Sequence, residues 1–472
     1  MTAPTRRLDW DDLLAEGRAA RLALICLGVW LNAADSLVTS TIMPTVGRDL
    51  GGYALFSWAT AAYMVGGILS AATAGMLSAR TGLRNAMVAA GLITAAGCAV
   101  SALAPDMATL VAGRAVQGLG SGWIVGACYV AIGAIFPERH LVRTFALMSS
   151  IWGVATVLGP LVGGLFAEGG HWRGLFWAFG AQAMLFVLAA LGLLETGGTS
   201  VGRRAPLRQV ALVLGGVGLI ACADLASGAL LAALLCALSV AVFAASVRLP
   251  TRPGDGLFPR DAGHPGGVVG AGYLANFALM AAAMGFSVYG PALLQKLHGL
   301  SPLVAGYAVG FESVGWTAAA LAVSGLPLRW HGPIIRLGAL CVVGALAVMA
   351  LVTRFGPVAA IVAAAGVLGA GLGLTFGFIG RRVIAAARNG ERELTSAGIN
   401  SVRLVGSAAG ACLAGILANL AGWSTGVTLK TANATSVWLF ALAVPVALVG
   451  AWAAWRVAAI KEDGPPSALL DP

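Results

Sequence analysis

The sequence predicts an all-α integral membrane protein, and three observations lead to that prediction. Of its 472 residues, 59% are hydrophobic and only 10% are charged. The mean hydropathy is +0.88, and a soluble domain of this length does not reach such a balance. The apolar residues fall into fourteen stretches that approach the ~20 residues a helix needs to cross a bilayer. The predicted architecture is therefore a set of fourteen transmembrane helices.

Two breaks in composition divide the predicted spans into groups. The spans are 21–43, 53–79, 85–104, 109–135, 144–168, 174–194, 207–225, 228–247, 267–295, 302–325, 333–353, 357–380, 396–421 and 434–458. A polar loop follows the sixth span, and a loop rich in proline and glycine follows the eighth. We therefore predict an N-terminal tail at 1–20, a six-helix bundle at 21–194, two additional helices with their linkers at 195–266, a second six-helix bundle at 267–458 and a C-terminal tail at 459–472.

The basic residues are distributed unevenly around these spans. The formal net charge is +10, from 29 Lys and Arg against 19 Asp and Glu. With a cytoplasmic N-terminus, 22 of the 29 fall in inner loops and tails, two lie inside helices, and five lie in outer loops, namely Arg48, Arg173, Lys296, Arg354 and Lys430. This asymmetry orients a membrane protein, and it argues against a nucleic-acid partner. We expect a monomeric, multi-pass protein of the plasma (inner) membrane with both termini in the cytoplasm.

Cysteine and histidine form no pattern typical of a metal site or a catalytic triad. The seven cysteines lie inside predicted spans without a CxxC pair, so we interpret them as small packing residues. The five histidines lie in predicted loops or at helix ends. No glycine-rich phosphate loop followed by Lys and Ser or Thr is present, so ATP hydrolysis is not supported. We expect no enzyme activity, no metal and no cofactor, with a proton gradient as the energy source.

Two opposite charges are predicted at the same depth in the first and fourth helices. Asp35 lies about 14 residues from the inner end of its span, which is ~21 Å at 1.5 Å per residue. Arg114 lies about five residues from the outer end of its span, or ~22 Å from the inner side of a ~30 Å core. A charge at the bilayer centre costs roughly 2.5–3.5 kcal/mol, so each needs a partner or water. We predict that they pair and that protonation of Asp35 releases the pair. The alternative is that Asp35 only caps a helix end.

Four groups of residues follow one another in a fixed order between residues 31 and 164. They are Asp35, Ser36, Val38 and Pro44 in helix 1; Gly75, Leu77, Arg80, Gly82 and Arg84 after helix 2; Arg114, Gln117, Gly118 and Gly120 in helix 4; and Gly153, Gly159, Pro160, Gly163 and Gly164 in helix 5. In order and spacing they resemble motifs of the major facilitator superfamily, and within it the fourteen-helix drug:proton antiporter branch. The resemblance implies two six-helix bundles with two extra central helices and a binding site at mid-depth.

The resemblance also implies roles in gating for the residues after helix 2 and in helix 5. Glycines and Pro160 permit close contact and a kink in helix 5, although ordinary packing is an alternative interpretation. One departure concerns the loop after helix 2, which has Ala79 where the family has an aspartate that latches the cytoplasmic gate. Another acid, such as Glu138, then remains as a partner for Arg80 and Arg84.

In the second half, Glu312 is the acid furthest from either end of its span. Intramembrane acids are functional by default, so we predict a second proton or cation site there, against the alternative of a carboxyl hydrogen-bonded in a packed core. Polar and aromatic residues at similar depths are candidate substrate-binding residues. These are Asn32, Gln117, Asn276, Trp316, Asn400 and Arg403. For Arg403, a gate, an anionic-substrate contact and simple snorkelling towards the inner interface all remain open.

These expectations together predict a secondary active transporter that exports small amphipathic or cationic compounds in exchange for protons. Asp35 would take the proton, Arg114 would control its release, and Glu312 would add a second site. Two alternatives remain: a proton-coupled or facilitative transporter of a polar metabolite or siderophore, and a scaffold or lipid-handling membrane protein. The motif of helix 5 favours antiport over import, whereas a scaffold has no need for charges at mid-depth.

Overall fold

The computed structural model describes residues 17–136, 138–195, 207–224, 226, 229–249, 257–323, 326–388 and 391–460. Within these residues the chain forms fourteen α-helices and four short 3₁₀ turns. The α-helices are α1 Arg18–Leu50, α2 Trp58–Thr81, α3 Leu83–Ala102, α4 Met107–Ile135, α5 Glu138–Glu168, α6 Trp172–Leu193, α7 Leu207–Asp224, α8 Ala229–Arg248, α9 Val268–His298, α10 Pro302–Val323, α11 His331–Phe355, α12 Val358–Ala385, α13 Arg392–Leu420 and α14 Leu429–Ala459.

Twelve of these helices are long and apolar enough to cross a membrane, among the residues that the structure describes. The other two are α7 and α10. In α7, the apolar part that the structure describes is Arg208–Ile220. The 22 residues of α10 include Glu312, Ser313 and Thr317, which lower its mean hydropathy. The chain is therefore an all-helical, multi-pass membrane protein with about twelve spans that are clear from length and composition.

The first helix is longer than its apolar stretch predicted. The expected span ends at residue 43, but α1 continues to Leu50 with Pro44 inside it. A proline removes one backbone hydrogen bond, and a membrane helix tolerates it where neighbouring groups compensate. The helix ends at Leu50, and the next residue is Gly51, whose φ of 66° favours glycine. Asp35 consequently lies near the middle of a 33-residue helix, so it does not cap a helix end.

The helix contacts divide the chain into two units, Met1–Ala205 with Ser301–Gly306, and Pro206–Leu300 with Tyr307–Pro472. In unit 1, α4 packs against α2 and α3, α1 packs against α5, and α3 packs against α6. The core of this unit includes Ile25 of α1, Ile124 of α4 and Phe186 of α6, all fully buried. These contacts bring the middle parts of α1, α2 and α4 together.

Glycines allow α4 to approach its two neighbours at backbone distance. A Cβ atom at Gly118 would collide with the carbonyl oxygen of Tyr63 on α2. A Cβ atom at Gly120 would collide with the backbone nitrogen of Thr94 on α3. Small residues have this use in membranes because lipid provides no hydrophobic drive between helices, and dispersion contact must replace it. Gly118 and Gly120 are therefore packing residues of α4.

Unit 2 is organised around α9, which packs against α13 and α14. Most of α9 is buried, which is consistent with a helix surrounded by others. The helices α11 and α12 pack against each other, and α11 also packs against α14. The two additional helices predicted within 195–266 belong to this unit, because α7 packs against α8 and α13.

Candidate functional site

The middle of unit 1 contains a buried ion pair between α1 and α4. Nη1 of Arg114 lies 2.7 Å from Oδ2 and 2.8 Å from Oδ1 of Asp35. The two side chains are 2% and 3% exposed. Taking two charges out of water costs several kcal/mol per ion, and their mutual attraction offsets this only when further hydrogen bonds satisfy both partners. The surroundings of the pair therefore decide whether it is stable.

Three neighbouring residues contact the pair, two through hydrogen bonds and one through its aromatic ring. Gln117 connects both charges: its Nε2 donates to Asp35 Oδ1 at 3.0 Å, and its Oε1 accepts from Arg114 Nη1 at 3.0 Å. Nε of Arg114 donates to the carbonyl oxygen of Ala59 on α2 at 3.1 Å. The guanidinium also stacks on the Tyr63 ring, with Cζ 4.3 Å from the ring centroid. Arg114 thus joins α1, α2 and α4, and a residue without its fork of donors could not replace it.

A second polar cluster lies beside the first on the same three helices. The amide of Asn32 on α1 donates to the hydroxyl of Tyr63 at 3.0 Å and to the hydroxyl of Ser121 at 2.9 Å. The Tyr63 hydroxyl in turn donates to Ser121 at 2.8 Å. Tyr63 therefore contacts both clusters, through its ring with Arg114 and through its hydroxyl with Asn32. A change at one cluster can reach the other through this single side chain.

The sequence of α4 places its polar residues on one face. Arg114, Gln117 and Ser121 are spaced by three and four residues, which is the spacing of neighbours along one side of a helix. The helix begins at Met107, and the side chain of Asp106 accepts a hydrogen bond from the backbone N–H of Thr109 at 2.8 Å. This hydrogen bond lowers the pKa of the Asp106 carboxyl. The cap sets where the helix starts and so the depth at which Arg114 lies.

Three residues of the helix 5 motif lie against neighbouring helices within unit 1. Cβ atoms at Gly159 and Gly163 would come within 2.9 Å and 3.0 Å of Cβ atoms of Leu37 and Thr41 on α1. A Cβ at Gly164 would meet Leu303 at the start of α10 at 2.7 Å. Pro160 lies inside α5, whereas Gly153 has nothing near the position of its missing Cβ. The motif thus holds α5 close to the helix that carries Asp35.

The loop between α2 and α3 turns at Gly82, whose φ of 80° is unfavourable for any other residue. Arg80 is exposed and Arg84 is half-buried. Among the described side chains neither has an acidic partner. The surroundings of Gly75 and the side chains of Ala79 and Glu138 lie outside the described part, so pairing with Glu138 stays a prediction.

Glu312 occupies the middle of α10 in unit 2. It is half-buried, and its Oε2 accepts a hydrogen bond from the Ser287 hydroxyl of α9 at 3.0 Å. A Cβ at Gly369 would collide with the backbone oxygen of Glu312, so α12 passes directly beside it. No basic side chain contacts this carboxyl among the described residues. An acid with one hydroxyl donor and no counter-ion can accept a proton or a cation.

The remaining candidate residues of unit 2 lie in two places. Trp316 packs against Phe376 of α12 with ring centroids 5.8 Å apart, and Arg403 of α13 stacks on the same Phe376 ring at 4.9 Å. Nη2 of Arg403 donates to Oδ1 of Asn400 at 3.0 Å. Asn276, by contrast, is buried and donates to the carbonyl of Gly272 in its own helix at 2.8 Å. The structure therefore brings Trp316, Asn400 and Arg403 together around Phe376 and leaves Asn276 apart from them.

Two comparisons of the sequence agree with this architecture. A family model described as Major Facilitator Superfamily matches residues 25–411. A probable multidrug-efflux transporter of Mycobacterium tuberculosis is 32% identical over 439 residues, which cover 87% of this chain and 90% of that protein. The chain belongs to the major facilitator superfamily. As a member it is a membrane-embedded secondary transporter of small molecules, and it is not an enzyme.

Other relatives of this superfamily member match in part or in fold. The multidrug transporter protein MdtP of Bacillus subtilis is 28% identical over 190 residues, which cover 39% of this chain and 35% of that protein. A crystal structure of a bacterial homolog of the human lysosomal transporter Spinster has a TM-score of 0.69 at 14% identity, with 94% and 97% of the two chains covered. A peptide transporter has a TM-score of 0.66 at 15% identity, with 93% and 95% covered. At these identities, the two structures show the major facilitator fold alone.

Some residues of the site in this superfamily member are not evident from sequence. Tyr63 and the carbonyl of Ala59 lie on α2, which carries no charge in its apolar part. Ser121 is one of many small polar residues, although its spacing from Arg114 and Gln117 is a usable signal. Phe376 belongs to a long apolar run that predicts only a lipid-facing or packed side chain. The roles of these residues follow from the side chains that they contact in the folded structure.

Proposed function

We propose that this protein exports small amphipathic compounds in exchange for protons by alternating access, as a multidrug-like efflux transporter. The observation that carries the proposal is the buried network of Asp35, Arg114 and Gln117. The printed description of the Mycobacterium tuberculosis relative, a probable multidrug-efflux transporter, supports the choice of substrate class. Membership of the fourteen-helix drug:proton antiporter branch, with all fourteen helices spanning the membrane and both termini in the cytoplasm of the inner membrane, is part of this proposal.

The proposed proton step takes place at Asp35. In the deprotonated state, the carboxylate accepts hydrogen bonds from Arg114 and Gln117, and the two charges offset each other. A proton on Asp35 removes its negative charge, so the guanidinium loses its counter-ion and favours another anionic or polar partner. The ion pair holds α1 to α4, and its release can change how these helices pack. One proton would be bound when the pair opens and released when it forms again.

The helix 5 residues and Glu312 have supporting roles in the proposal. Gly159 and Gly163 keep α5 against α1, so a movement of α1 is transmitted to α5. Glu312 has no counter-ion among described residues, and it is proposed to bind a second proton or the cationic group of a substrate. Polar side chains at Asn32, Gln117, Trp316, Asn400 and Arg403 remain proposed substrate contacts.

The proposal is tested by substrate flux in proteoliposomes with an imposed proton gradient. A substrate is first identified by resistance profiling of an efflux-deficient host that overexpresses the protein. We expect Asp35→Asn to bind this substrate but to lose gradient-driven flux. Asp49→Asn is the matched control, because Asp49 is also an acid of α1 in an ion pair, but a half-exposed one with Arg173. Undiminished gradient-driven flux in Asp35→Asn would remove the residue from the mechanism, and accumulation along an inward proton gradient would favour an importer.

A further inference from the structure

Unit 2 contains an open cavity of about 700 Å³ between α12 and α13. Its lining residues are Phe376, Gly377, Gly380, Arg381, Ile384, Ala385, Arg392, Ser396, Ile399 and Asn400. Two of them carry a positive charge, two are neutral polar residues, and none is acidic. A cavity of this size lies in the range of small-molecule sites, which are mostly apolar with a few polar groups that orient the ligand. The charges of the wall indicate which ligands it favours.

The described acids Asp261 and Glu391 are paired with arginines that do not line this cavity. Asp261 accepts from Nε and Nη2 of Arg388 at 2.7 Å and 2.6 Å. Glu391 is buried and lies 3.7 Å from Nε of Arg260. Neither Arg381 nor Arg392 forms an ion pair with an acid among the described residues.

Two guanidinium groups that have no acidic partner among the described side chains favour an anionic ligand. Guanidinium is planar, stays charged at any physiological pH and binds carboxylate or phosphate oxygens with two parallel hydrogen bonds. Ser396 and Asn400 lie on the same face of α13 as Arg392, at spacings of four and eight residues, and provide neutral donors beside the charges. The polar side of the cavity is thus suited to a group of anionic oxygens.

The other side of the cavity is aromatic. Phe376 lines it, packs on Trp316 at 5.8 Å and carries the Arg403 guanidinium at 4.9 Å. These neighbours fix the orientation of the Phe376 ring, so ligand binding does not cost the conformational entropy of ordering it. A flat apolar ligand body gains contact area against such a ring. The combination of a held aromatic ring and two charged forks suits a molecule with an aromatic body and an anionic end.

A glycine keeps this cavity open. Gly377 lies on its wall, and a Cβ atom added there would meet no heavy atom within 4 Å. A larger side chain at this position would therefore project into empty space without moving the backbone. Gly377 consequently offers a way to fill the cavity while the helices remain in place.

We infer that this cavity binds aromatic carboxylates or sulfonates, with the anionic group at Arg381 and Arg392 and the ring against Phe376. The inference rests on the proposed transport function and adds one substrate class to it, organic anions with an aromatic body, beside the cationic compounds proposed for Glu312. Phosphate headgroups of anionic lipids also present anionic oxygens that could bind the two arginines. The test therefore distinguishes an anionic lipid from a soluble organic anion. The source assigned here is the soluble organic anion.

The test measures equilibrium binding to the purified full chain in nanodiscs of phosphatidylcholine. Calorimetry is done with 1-naphthoate, its neutral analogue 1-naphthamide and the cation 1-naphthylmethylammonium. We expect 1-naphthoate to bind at least about tenfold more tightly than either analogue, because the two guanidinium groups interact only with the anion. Binding of all three probes with equal affinity would overturn the assignment, since the cavity would then respond only to the ring.

Variants locate the binding to the cavity. Arg381→Ala combined with Arg392→Ala should weaken 1-naphthoate binding about tenfold or more, and the corresponding double Lys variant, which keeps the charges but loses the planar fork of donors, should recover only part of it. Arg336→Ala is the matched control, because Arg336 is an exposed arginine of the same unit that does not line the cavity. Gly377→Leu should abolish binding without loss of folded protein, since replacing a helical glycine does not destabilise a helix by itself. Full binding in the double Ala variant and in Gly377→Leu would contradict the site.

Two further comparisons distinguish a lipid ligand from a soluble anion, and failure of this inference from failure of the proposed function. If phosphatidylglycerol is retained in native mass spectrometry, depends on Arg381 and Arg392, and prevents 1-naphthoate binding, the site is a lipid site and the substrate assignment is wrong. The binding measurement uses no gradient, so failure of proton coupling in Asp35→Asn leaves it unchanged. Failure of 1-naphthoate to bind leaves gradient-driven efflux of other compounds intact, so the two proposals fail independently.

Discussion

Arg114 on α4 lies 2.7 Å from the carboxylate of Asp35 on α1, although 79 residues of sequence separate them. The pair is closed by Gln117, by the carbonyl of Ala59 and by the ring of Tyr63. A buried pair satisfied on all sides is tolerated, but each partner becomes costly once the other is lost. The consequences of breaking and of replacing the pair therefore differ, and both can be measured.

Arg114→Ala is expected to lower the free energy of unfolding by about 3–5 kcal/mol, because it leaves the Asp35 carboxylate buried without a counter-ion. Arg114→Lys should cost less, since it keeps the charge but loses the hydrogen bond to Ala59. The double variant Asp35→Leu with Arg114→Leu should recover much of the stability but transport nothing.

The apparent melting temperature in detergent checks all three variants. Arg173→Ala, which breaks a half-exposed pair, should change stability by about 1 kcal/mol or less. Equal melting of Arg114→Ala and the natural protein would contradict this account.

Gly118→Ala is expected to separate α2 from α4, because its Cβ would collide with the carbonyl oxygen of Tyr63. A forced shift of this kind costs about 1–3 kcal/mol and also displaces the ring that stacks on Arg114. Gly67→Ala on α2 is the matched control, because its Cβ would meet no heavy atom within 4 Å. It should be neutral or stabilising by up to about 1 kcal/mol. The measurements are the yield of monodisperse protein and the melting temperature. Similar decreases in both variants would refute the close-packing explanation.

Glu312→Gln is expected to reduce transport of cationic substrates far more than transport of neutral ones. The amide can still accept the hydrogen bond of Ser287, so the packing of α9 on α10 persists while the charge is lost. We expect a loss on the order of tenfold for ethidium efflux, the scale of one removed charge contact at a partly buried site. Ser287→Ala, which removes the hydrogen bond and keeps the charge, is the control and should retain ethidium efflux. If neutral and cationic substrates were affected equally, Glu312 would be a structural residue.

Reporter fusions after Ser200 and Gly263 are expected to show a cytoplasmic location, and a fusion after Gly299 an outer one. The reason is the distribution of Lys and Arg, with 22 in the inner loops and tails and five in the outer loops of a fourteen-span topology. Paired fusions to alkaline phosphatase and green fluorescent protein report the two sides independently. A phosphatase signal after Gly263 would mean that α7 and α8 do not both cross the membrane.

Much of the fold follows from local properties of the chain. Hydropathy places the helices because each span must satisfy its backbone hydrogen bonds internally in lipid. It gives the long helices clearly, but α10 is ambiguous, because its mid-helix acid weakens the hydropathy signal. The expected depth of a residue also follows from local sequence, because the helix rise converts a number of residues into a distance along the helix. The similar depths calculated for Asp35 and Arg114 are consistent with the ion pair that they form.

Sequence alone therefore determined the membrane class and the order of most helices, and it predicted that Asp35 and Arg114 lie at a similar depth. Only the tertiary structure decided which side chains meet at a given depth. Asn276 bonds to its own helix, whereas Tyr63 on an uncharged stretch completes the Arg114 site. The cavity wall of Arg381 and Arg392 is likewise assembled from two helices. The physical reason is that hydropathy and helix rise are set residue by residue, while lateral contact depends on rotation and on the backbone approach that glycines such as Gly118 permit.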